Sequence, residues 1–227
     1  MDASRGNDAN AGTSGKPLQT LGRAIEVANA IVGGTVDIKV RPGTYPVAPI
    51  VTITRDHVTI EGLSNPILNQ DGYLDHFANP VTVVAANFGD QSLWINALIL
   101  IRASDVAISG LSFISTAEGT STNVNALIYV LALGFDGQWP GPQGNFTPKA
   151  LTNDETGHLE ANLTANTFTN NSLSDLMIVD ESHDHANTHY DQPYTSTTPP
   201  VTIHVALTRN SFQGPELTGE FTFQEPA

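Results

Sequence analysis

The sequence has no cysteine and few basic residues. Without cysteine, the chain has no disulfide framework, no thiolate zinc site and no cysteine nucleophile. Nine residues are Lys or Arg against 23 Asp or Glu, so the formal net charge is -14. Such a charge repels phosphate groups, and we therefore expect neither nucleic acid nor an anionic membrane surface as a partner.

Long apolar runs are also missing. The longest one, Ala126 to Leu133, is far below the roughly 18 residues that a membrane-spanning helix needs, so we expect no membrane insertion. Turn-forming residues are frequent, with 19 Gly and 14 Pro among 227 residues. This composition disfavours a long all-helical protein and favours short strands joined by turns.

One helix is predicted near the start of the chain. The first 20 residues are rich in Gly, Asn, Asp, Ser and Thr, which is typical of a lead-in segment. Apolar residues then recur at helical spacing from Leu21 to Val32, with Thr20 as a possible N-cap and Gly33-Gly34 as a stop signal. We predict an amphipathic helix over Leu21 to Val32.

After the helix, apolar and polar residues alternate, which is typical of strands. Each run ends at Pro, Gly, Asn or Asp. The predicted strands are Val36–Val40, Val51–Ile53, His57–Leu63, Val81–Ala85, Leu98–Ile101, Val106–Phe113, Leu127–Leu133, Leu159–Phe168, Leu176–Val179 and Val201–Phe212.

Two motifs recur within this series of strands. Val58-x-Ile60-x-Gly62-Leu63 returns 48 residues later as Val106-x-Ile108-x-Gly110-Leu111. Leu163-Thr-x-Asn166-x-Phe168 returns 44 residues later as Leu207-Thr-x-Asn210-x-Phe212. Unequal offsets suit coils with loops of variable length, so the repeats favour a solenoid over propeller blades.

A solenoid of parallel strands has two requirements that the sequence meets. Short polar side chains at corners stack into hydrogen-bonded ladders, and the ends of the apolar core need caps. The predicted helix lies just before the first strand, where a cap is needed. The candidate corner residues are Asn166, Asn170, Asn171 and Asn210.

The N-terminal part resembles a known family. The segments that carry the resemblance are Gly6-Asn7-Asp8-Ala9-Asn10-Ala11-Gly12-Thr13, Lys16-Pro17-Leu18-Gln19-Thr20-Leu21, Ala24-Ile25 and Val40-Arg41-Pro42-Gly43-Thr44-Tyr45. Together they resemble the N-terminal signature of secreted right-handed parallel β-helix proteins of the pectate-lyase-like superfamily. The resemblance implies that fold and a secreted or cell-surface location. It implies no single activity, because this scaffold carries lyases, hydrolases, epimerases, adhesins and inert stalks.

The densest polar cluster lies in the segment from Asp180 to Asp191, which holds three of the seven histidines. An extended or a helical arrangement would each place two of these imidazoles on one side, with a carboxylate nearby. Such a group would suit a divalent metal, calcium or zinc, or acid–base catalysis. The alternative is a solvated polar loop. The candidate metal ligands are His183, Asp184, His185, His189 and Asp191, and the candidate catalytic histidines are His183 and His185.

Two further residues are candidates for catalysis on, or binding of, a carbohydrate. A β-eliminating lyase needs a basic group to take a proton beside a uronate carboxylate, and Arg209 is the candidate on a predicted coil. Trp139 follows Gly137-Gln138 in a predicted loop, where an indole would offer a platform for a sugar ring. Packing of that loop onto the protein is the alternative role for Trp139.

The sequence therefore predicts one all-β domain, a right-handed parallel β-helix with an N-terminal capping α-helix. Residues 1–35 form the lead-in and helix, and residues 36–227 form coils with long loops near 66–80, 134–157 and 180–200. We expect an extracellular protein directed at polysaccharide or cell-surface glycan, as a binder or a lyase-like processor. The alternative is a non-catalytic structural or adhesive cell-surface module, with a metal site in the histidine-rich loop. A solenoid end would permit self-association in either case.

Overall fold

The structure, a computed structural model, describes residues 1–47, 51–85, 95–115, 124–132, 158–169, 174–180 and 202–213. These ranges contain helix α1 (Leu21–Ala30) and a series of short strands. The strands are β1 (Val36–Val40), β2 (Gly43–Val47), β3 (Val51–Ile53), β4 (Val58–Gly62), β5 (Pro66–Leu68), β6 (Leu74–Phe77), β7 (Val81–Ala85), β8 (Ile95–Ile101), β9 (Val106–Ser109), β10 (Leu111–Ser115), β11 (Val124–Ala132), β12 (His158–Thr164), β13 (Thr167–Thr169), β14 (Ser174–Asp180), β15 (Thr202–Thr208) and β16 (Ser211–Gln213).

The chain visits three parallel sheets in a fixed order. Sheet 1 has the strand order β1-β4-β9-β12-β15, sheet 2 the order β2-β7-β10-β13-β16, and sheet 3 the order β3-β8-β11-β14. Each time the chain returns to a sheet, it adds a strand that runs parallel to the previous strand of that sheet. We call one passage through the three sheets a rung. The described part is thus all-β with parallel sheets and one N-terminal helix.

The inward side chains of the three sheets share one hydrophobic core. Ile60 of sheet 1, Phe113 of sheet 2 and Ile99 of sheet 3 are all fully buried. Aromatic rings stack from rung to rung, with centroids 5.1 Å apart for Phe113 and Phe168 and 4.9 Å apart for Phe168 and Phe212. Each rung therefore buries its apolar side chains by stacking on its neighbours.

Helix α1 covers the first rung, as the sequence predicted. It contacts β1, β2 and β3, and its buried face includes Leu21 and Ile25. The Thr20 hydroxyl accepts a hydrogen bond from the Arg23 amide at 3.2 Å, which satisfies one free N–H at the helix start. The helix ends at Ala30, two residues before the predicted end, because Ile31 is already extended with ψ 128°. At 10 residues, α1 is too short to cross a membrane, and the described part contains no longer helix.

The lead-in segment is held by carboxylates. Asp8 accepts hydrogen bonds at 2.9 Å from the amides of Gln19 and Thr20, and at 2.8 Å from the Thr20 hydroxyl. The buried carboxylate of Asp2 accepts bonds from Ser4 and Arg5. These bonds fix the segment against the helix start and the first rung.

Three predicted strands are each divided in two by a corner between sheet 1 and sheet 2. The dividing residues adopt left-handed backbone conformations, with φ 69° at Gly110, 52° at Ala165 and 56° at Arg209. Each run therefore turns from one sheet to the next instead of continuing straight. The corrected predictions are Val106–Phe113, which becomes β9 and β10, Leu159–Phe168, which becomes β12 and β13, and Val201–Phe212, which becomes β15 and β16.

Strand β2 and the antiparallel pair β5-β6 were not among the strands predicted from the sequence. Gly43 and Pro46 lie within β2, and such residues are read as turn formers. The predicted long loop near 66–80 contains the β5-β6 hairpin. The other two predicted loops, 134–157 and 180–200, lie outside the described residues except at Asp180.

The corner asparagines form the predicted ladder. The Asn166 amide group donates to Ile108 O at 2.9 Å and to Asn210 Oδ1 at 3.2 Å. Asn210 in turn donates to Leu163 O at 2.7 Å. This confirms the prediction for Asn166 and Asn210, whereas Asn170 and Asn171 lie outside the described residues.

Candidate functional site

The outer face of sheet 1 is accessible and polar, in contrast to the outer faces of the other two sheets in the middle rungs. On sheet 2, the outward residues Ser112 and Thr167 are buried, while Thr82, Val84 and Ile114 are half-buried, and on sheet 3 the run Leu98–Ile101 is buried on both faces. On sheet 1, the outward side chains that the structure describes are exposed or half-buried. Sheet 1 therefore offers the broad surface on which a partner could lie.

Two rows of outward side chains cross this surface, which we call the open face. Strands lie about 4.8 Å apart, so five strands give a face roughly 19 Å long. Small side chains fill its centre, which makes the face flat. The first row is Asp37, Thr59, Ala107, Asn162 and Ala206, and the second is Lys39, Glu61, Ser109, Thr164 and Thr208.

The charged residues of these two rows lie on β1 and β4. Lys39 forms an ion pair with Glu61, and the hydrogen bond from this pair raises the pKa of Lys39. Asp37 lies in the other row beside them. The two rows carry no charged residue on β9, β12 or β15, so on these strands they present only uncharged hydroxyl, amide and methyl groups.

An imidazole–carboxylate pair lies at the corner where the chain enters sheet 1. His57 directly precedes β4 and Asp105 directly precedes β9. His57 Nδ1 and Asp105 Oδ2 are 2.6 Å apart, and both side chains are exposed. Both residues have left-handed backbone, with φ 59° and 53°. Non-glycine residues rarely adopt that conformation, and Asp and His are among those that tolerate it best.

The backbone around the pair is fixed by the stacking of two equivalent turns. The Asp56 carboxylate accepts a 2.8 Å hydrogen bond from the Ser104 amide. The His57 amide donates to Ser104 O at 3.2 Å, and His57 O accepts from Val36 N at 2.9 Å. The two side chains therefore project from a rigid corner.

The pair has a defined chemical capacity. An ionised carboxylate only accepts hydrogen bonds, so Asp105 requires the proton of His57 on Nδ1. In the neutral imidazole, Nε2 is then an unprotonated base held by an orienting carboxylate. The arrangement is suited to taking a proton from a molecule on the open face.

Two further titratable residues follow along the same edge of sheet 1. In the backbone register Glu160 of β12 is the partner of His204 of β15, whose side chain is exposed. Ala161 pairs with Val106. Glu160 directly precedes Ala161 and Asp105 directly precedes Val106, so the two occupy equivalent register positions. The distance from His57 to His204 across four strands is about 14 Å.

Of the site residues predicted from sequence, only Arg209 lies in the described part of the chain. It is exposed at the corner after β15, at the opposite end of that strand from His204, about 16 Å away along the chain. The structure therefore does not bring Arg209 to the His57–Asp105 pair. The predicted residues outside the described ranges are Trp139, His183, Asp184, His185, His189 and Asp191.

The sequence reasoning missed His57 and Asp105, although the repeat contained the signal. Each residue directly precedes the Val of one copy of the Val-x-Ile-x-Gly-Leu motif, and the two copies are 48 residues apart. Because equivalent positions of stacked rungs are neighbours, aligning the copies one residue further back would have paired them. Within the described residues, no three His, Asp or Glu side chains are grouped closely enough to hold a metal ion.

A depression of about 470 Å³ lies between α1, the lead-in segment and β1. Its walls include Leu18, Ala28 and Ile31. Two basic side chains on its lining are already paired. Lys39 is paired with Glu61, and Arg41 is paired with Asp2, with 3.7 Å between Arg41 Nη1 and Asp2 Oδ2. This depression is a packing groove under the helix and, among the described residues, offers no free basic side chain to a ligand.

Comparison with known proteins adds a family match in the N-terminal part. The model of a protein family of unknown function, DUF1565, matches residues 4–62, which span the lead-in segment, α1 and strands β1 to β4. That family is associated with parallel β-helix proteins. No curated protein matches the sequence.

Two solved structures resemble the chain at low identity. A rhamnogalacturonan lyase aligns with 13% identity and a TM-score of 0.45, covering 94% of this chain and 52% of that one. The GH136 lacto-N-biosidase from Eubacterium ramulus aligns with 11% identity and a TM-score of 0.35, covering 94% of this chain and 33% of that one. This chain thus spans about half of the first protein and a third of the second.

Proposed function

We propose that this chain is a single-domain right-handed parallel β-helix, over residues 1–227, that binds polysaccharide along the open face of sheet 1. The regular return of the chain to three parallel sheets supports the fold, and such parallel connections are right-handed in about 98% of cases. The match to a family associated with β-helix proteins also supports it. Secretion or display at the cell surface belongs to the same proposal.

The observation that carries the proposal is the open face itself. It is long, flat and lined beyond β4 by hydroxyl, amide and methyl groups such as those of Ser109, Asn162 and Ala107. An extended sugar chain presents alternating hydroxyl groups and apolar ring faces, which match such a surface without requiring charge. A net charge of -14 argues against phosphate-rich polymers as the ligand.

Binding can be tested by blocking the face. Asn162→Trp places a large side chain at the centre of the open face, and we expect at least about a tenfold loss of affinity for the glycan that the unmodified protein binds. Thr44→Trp is the matched control, because Thr44 is an exposed outward residue on sheet 2. Affinity electrophoresis and titration calorimetry over pectate, alginate, glycosaminoglycans and neutral galactans would measure both variants. Equal loss in both, or in neither, would contradict binding at this face.

Lyase-like processing is the catalytic form of the proposal. His57, oriented by Asp105, is its base on the described face, and His183, His185 and Arg209 remain the bases proposed from sequence. Ultraviolet absorbance of unsaturated uronate, with calcium and with chelator, measures this activity. His57→Gln should abolish formation of unsaturated uronate. The control is His76→Gln, which alters an exposed His–Asp pair on the β5-β6 hairpin and should leave product formation unchanged. Absence of product across the panel would reject processing and leave binding intact.

The histidine-rich loop and Trp139 retain their proposed roles. His183, Asp184, His185, His189 and Asp191 are proposed to hold calcium or zinc, and calorimetric titration with each metal tests this. Trp139 is proposed to stack on a sugar ring, and Trp139→Ala should weaken glycan binding.

The second candidate function is a non-catalytic structural or adhesive module. The observation that favours it is the continuous stack of inward side chains through five rungs of sheet 2, which makes a stiff rod. A blank result for every glycan in both assays would favour this function. The stacked residues are Tyr45, Val83, Phe113, Phe168 and Phe212.

A further inference from the structure

A third row of residues borders the open face where the chain enters sheet 1. Each member lies two positions before the corresponding residue of the first row, at a distance of about 7 Å. Val36, Val58, Val106 and Ala161 are register partners across β1, β4, β9 and β12, and a member of the third row directly precedes each of them. We call this third row the edge row. In rung order it consists of Thr35, His57, Asp105, Glu160 and His204.

The edge row contains four titratable residues and no lysine or arginine. Two carboxylate residues, Asp105 and Glu160, lie between two histidines, His57 and His204. With both imidazoles neutral, the two carboxylates give the row a charge of -2, and with both imidazoles protonated the sum is 0. The row therefore carries most of the charge that pH can change on this face.

Both histidines of the edge row exchange protons with solvent and have a carboxylate residue in the neighbouring rung. His57 and His204 are exposed. His57 Nδ1 lies 2.6 Å from Asp105 Oδ2, and His204 is the register partner of Glu160. Histidine is the side chain that changes its charge between about pH 8 and pH 5. Mild acid therefore acts on this row before it acts on any carboxylate of the face.

The charged groups around the edge row do not cancel its carboxylates. In the turn before β4, the Asp56 carboxylate accepts a hydrogen bond from the Ser104 amide at 2.8 Å, and the buried Arg55 side chain donates to Gly33 O at 3.2 Å. Arg102 directly follows β8 of sheet 3. On β12, a further histidine lies two positions before the edge row and gains charge in the same direction. It is His158, the register partner of Thr202.

We propose that the edge row sets the glycan specificity of the open face according to pH. Near neutral pH its carboxylates repel glycans that carry carboxylates, and protonation of His57 and His204 admits them. This inference rests on the proposed binding of polysaccharide along that face. A polyuronate keeps its charge over the same range, because ordinary carboxyl groups stay ionised above about pH 5. The change in repulsion therefore comes from the protein, and a neutral glycan does not sense it.

Matched pairs of glycans, equal in backbone and different in charge, test the proposal. The first pair is pectate and its fully methyl-esterified form, and the second is neutral galactan and galactan oxidised to the carboxylate at C6. Titration calorimetry with chelator gives the ratio of the affinity for the charged form to that for the neutral form. We expect this ratio to rise at least about threefold from pH 7.5 to pH 5.5.

Histidine variants show which groups cause the rise. The double variant His57→Gln with His204→Gln should lose most of it, because the charge of the edge row then no longer changes in this range. His76→Gln is the control, since His76 belongs to an exposed His–Asp pair on the β5-β6 hairpin. The rise should persist in that variant.

The carboxylates of the row can also be removed at constant pH. Asp105→Asn retains a residue type that tolerates the left-handed backbone at φ 53°, and Glu160→Gln preserves the size of the side chain. At pH 7.5 each variant should raise the affinity ratio by at least about twofold. Glu26→Gln is the control, because Glu26 is exposed on α1 and its replacement changes the net charge by the same amount.

Three outcomes would overturn the proposal. A constant ratio between the two pH values, with a neutral form bound, would reject control by pH and leave glycan binding intact. A rise that persists in the double histidine variant, or an equal effect of Glu26→Gln, would assign the response to the charge of the whole chain. Failure of both pairs to bind at either pH would contradict binding of these glycans itself, and this inference with it.

Discussion

At the scale of single residues, the side chain of Asn166 bonds strands β9 and β10 of the preceding rung and Asn210 at the corner of the next. The side chain is fully buried, with Oδ1 accepting from the Leu111 amide at 3.1 Å and the amide group donating to Ile108 O and Asn210 Oδ1. Asn166→Ala leaves a buried N–H and a buried C=O unpaired, so we expect a loss of about 2–4 kcal/mol in the free energy of unfolding. Urea unfolding measures it, with Thr208→Ala as an exposed control that should change stability by less than about 0.5 kcal/mol. Equal midpoints for the two variants would contradict the role of the ladder.

Asp2 provides a residue-scale prediction about pH. Burial opposes ionisation of this carboxyl group, but hydrogen bonds from Arg5 and Ser4 outweigh it and lower the pKa of Asp2 from 3.8 to about 2. A depressed folded-state pKa adds stability that is present above the unfolded value and is lost as the pH falls through the folded value. The stability difference between the unmodified protein and Asp2→Asn should therefore be full at pH 6 and shrink between about pH 4 and pH 2. A difference that stays constant over this window would contradict the ionised, hydrogen-bonded carboxylate.

At the scale of elements, two glycines allow neighbouring rungs to approach closely at the sheet 1 corner. A Cβ on Gly62 would lie 2.1 Å from Gly110 O, and a Cβ on Gly110 would lie 2.5 Å from Gly62 O. Gly110→Ala combines this clash with a left-handed φ of 69°, so we expect a loss of about 3 kcal/mol or more. Gly72→Ala is the control, because Gly72 has φ 81° but a Cβ added there would meet no atom within 4 Å. It should lose only about 1 kcal/mol in thermal or urea unfolding, and a similar loss in both variants would argue against close packing of the rungs.

The elements also show how far sequence reasoning extends. The strand bounds Val36–Val40 and Val81–Ala85 match those predicted from apolar periodicity, because burial alternates along residues 36–40 and 81–84 and one face of each strand packs in the core. Corners at Ala165 and Arg209 escaped prediction, since neither residue type favours the left-handed conformation that it adopts. Their conformation is imposed by the stacking of rungs, as at the corner where Asn166 bonds Asn210.

The candidate site was harder to predict than the fold for a related reason. His57 and Asp105 are ordinary turn residues in the sequence, and they meet only because the same turn recurs in the next rung. The open face likewise has no motif, since it consists of the polar positions that alternate with core residues on five separate strands. The histidines of Asp180–Asp191 are close in sequence and so form a visible cluster, whereas the described pair is formed across rungs.

At the scale of the whole molecule, charge should decide which glycans bind. The net charge of -14 repels polyuronates at a distance, while the uncharged centre of the open face has no cation to attract them. We expect the affinity for a neutral polysaccharide to change by less than about twofold between roughly 0.01 M and 0.15 M salt, over which the screening length falls from about 30 Å to about 8 Å. Binding of pectate or alginate should instead require calcium or rise with salt. Affinity electrophoresis at the two ionic strengths, with and without chelator, measures both effects. Tight binding of a polyuronate at low salt in the presence of chelator would show that a cationic surface outside the open face receives the ligand.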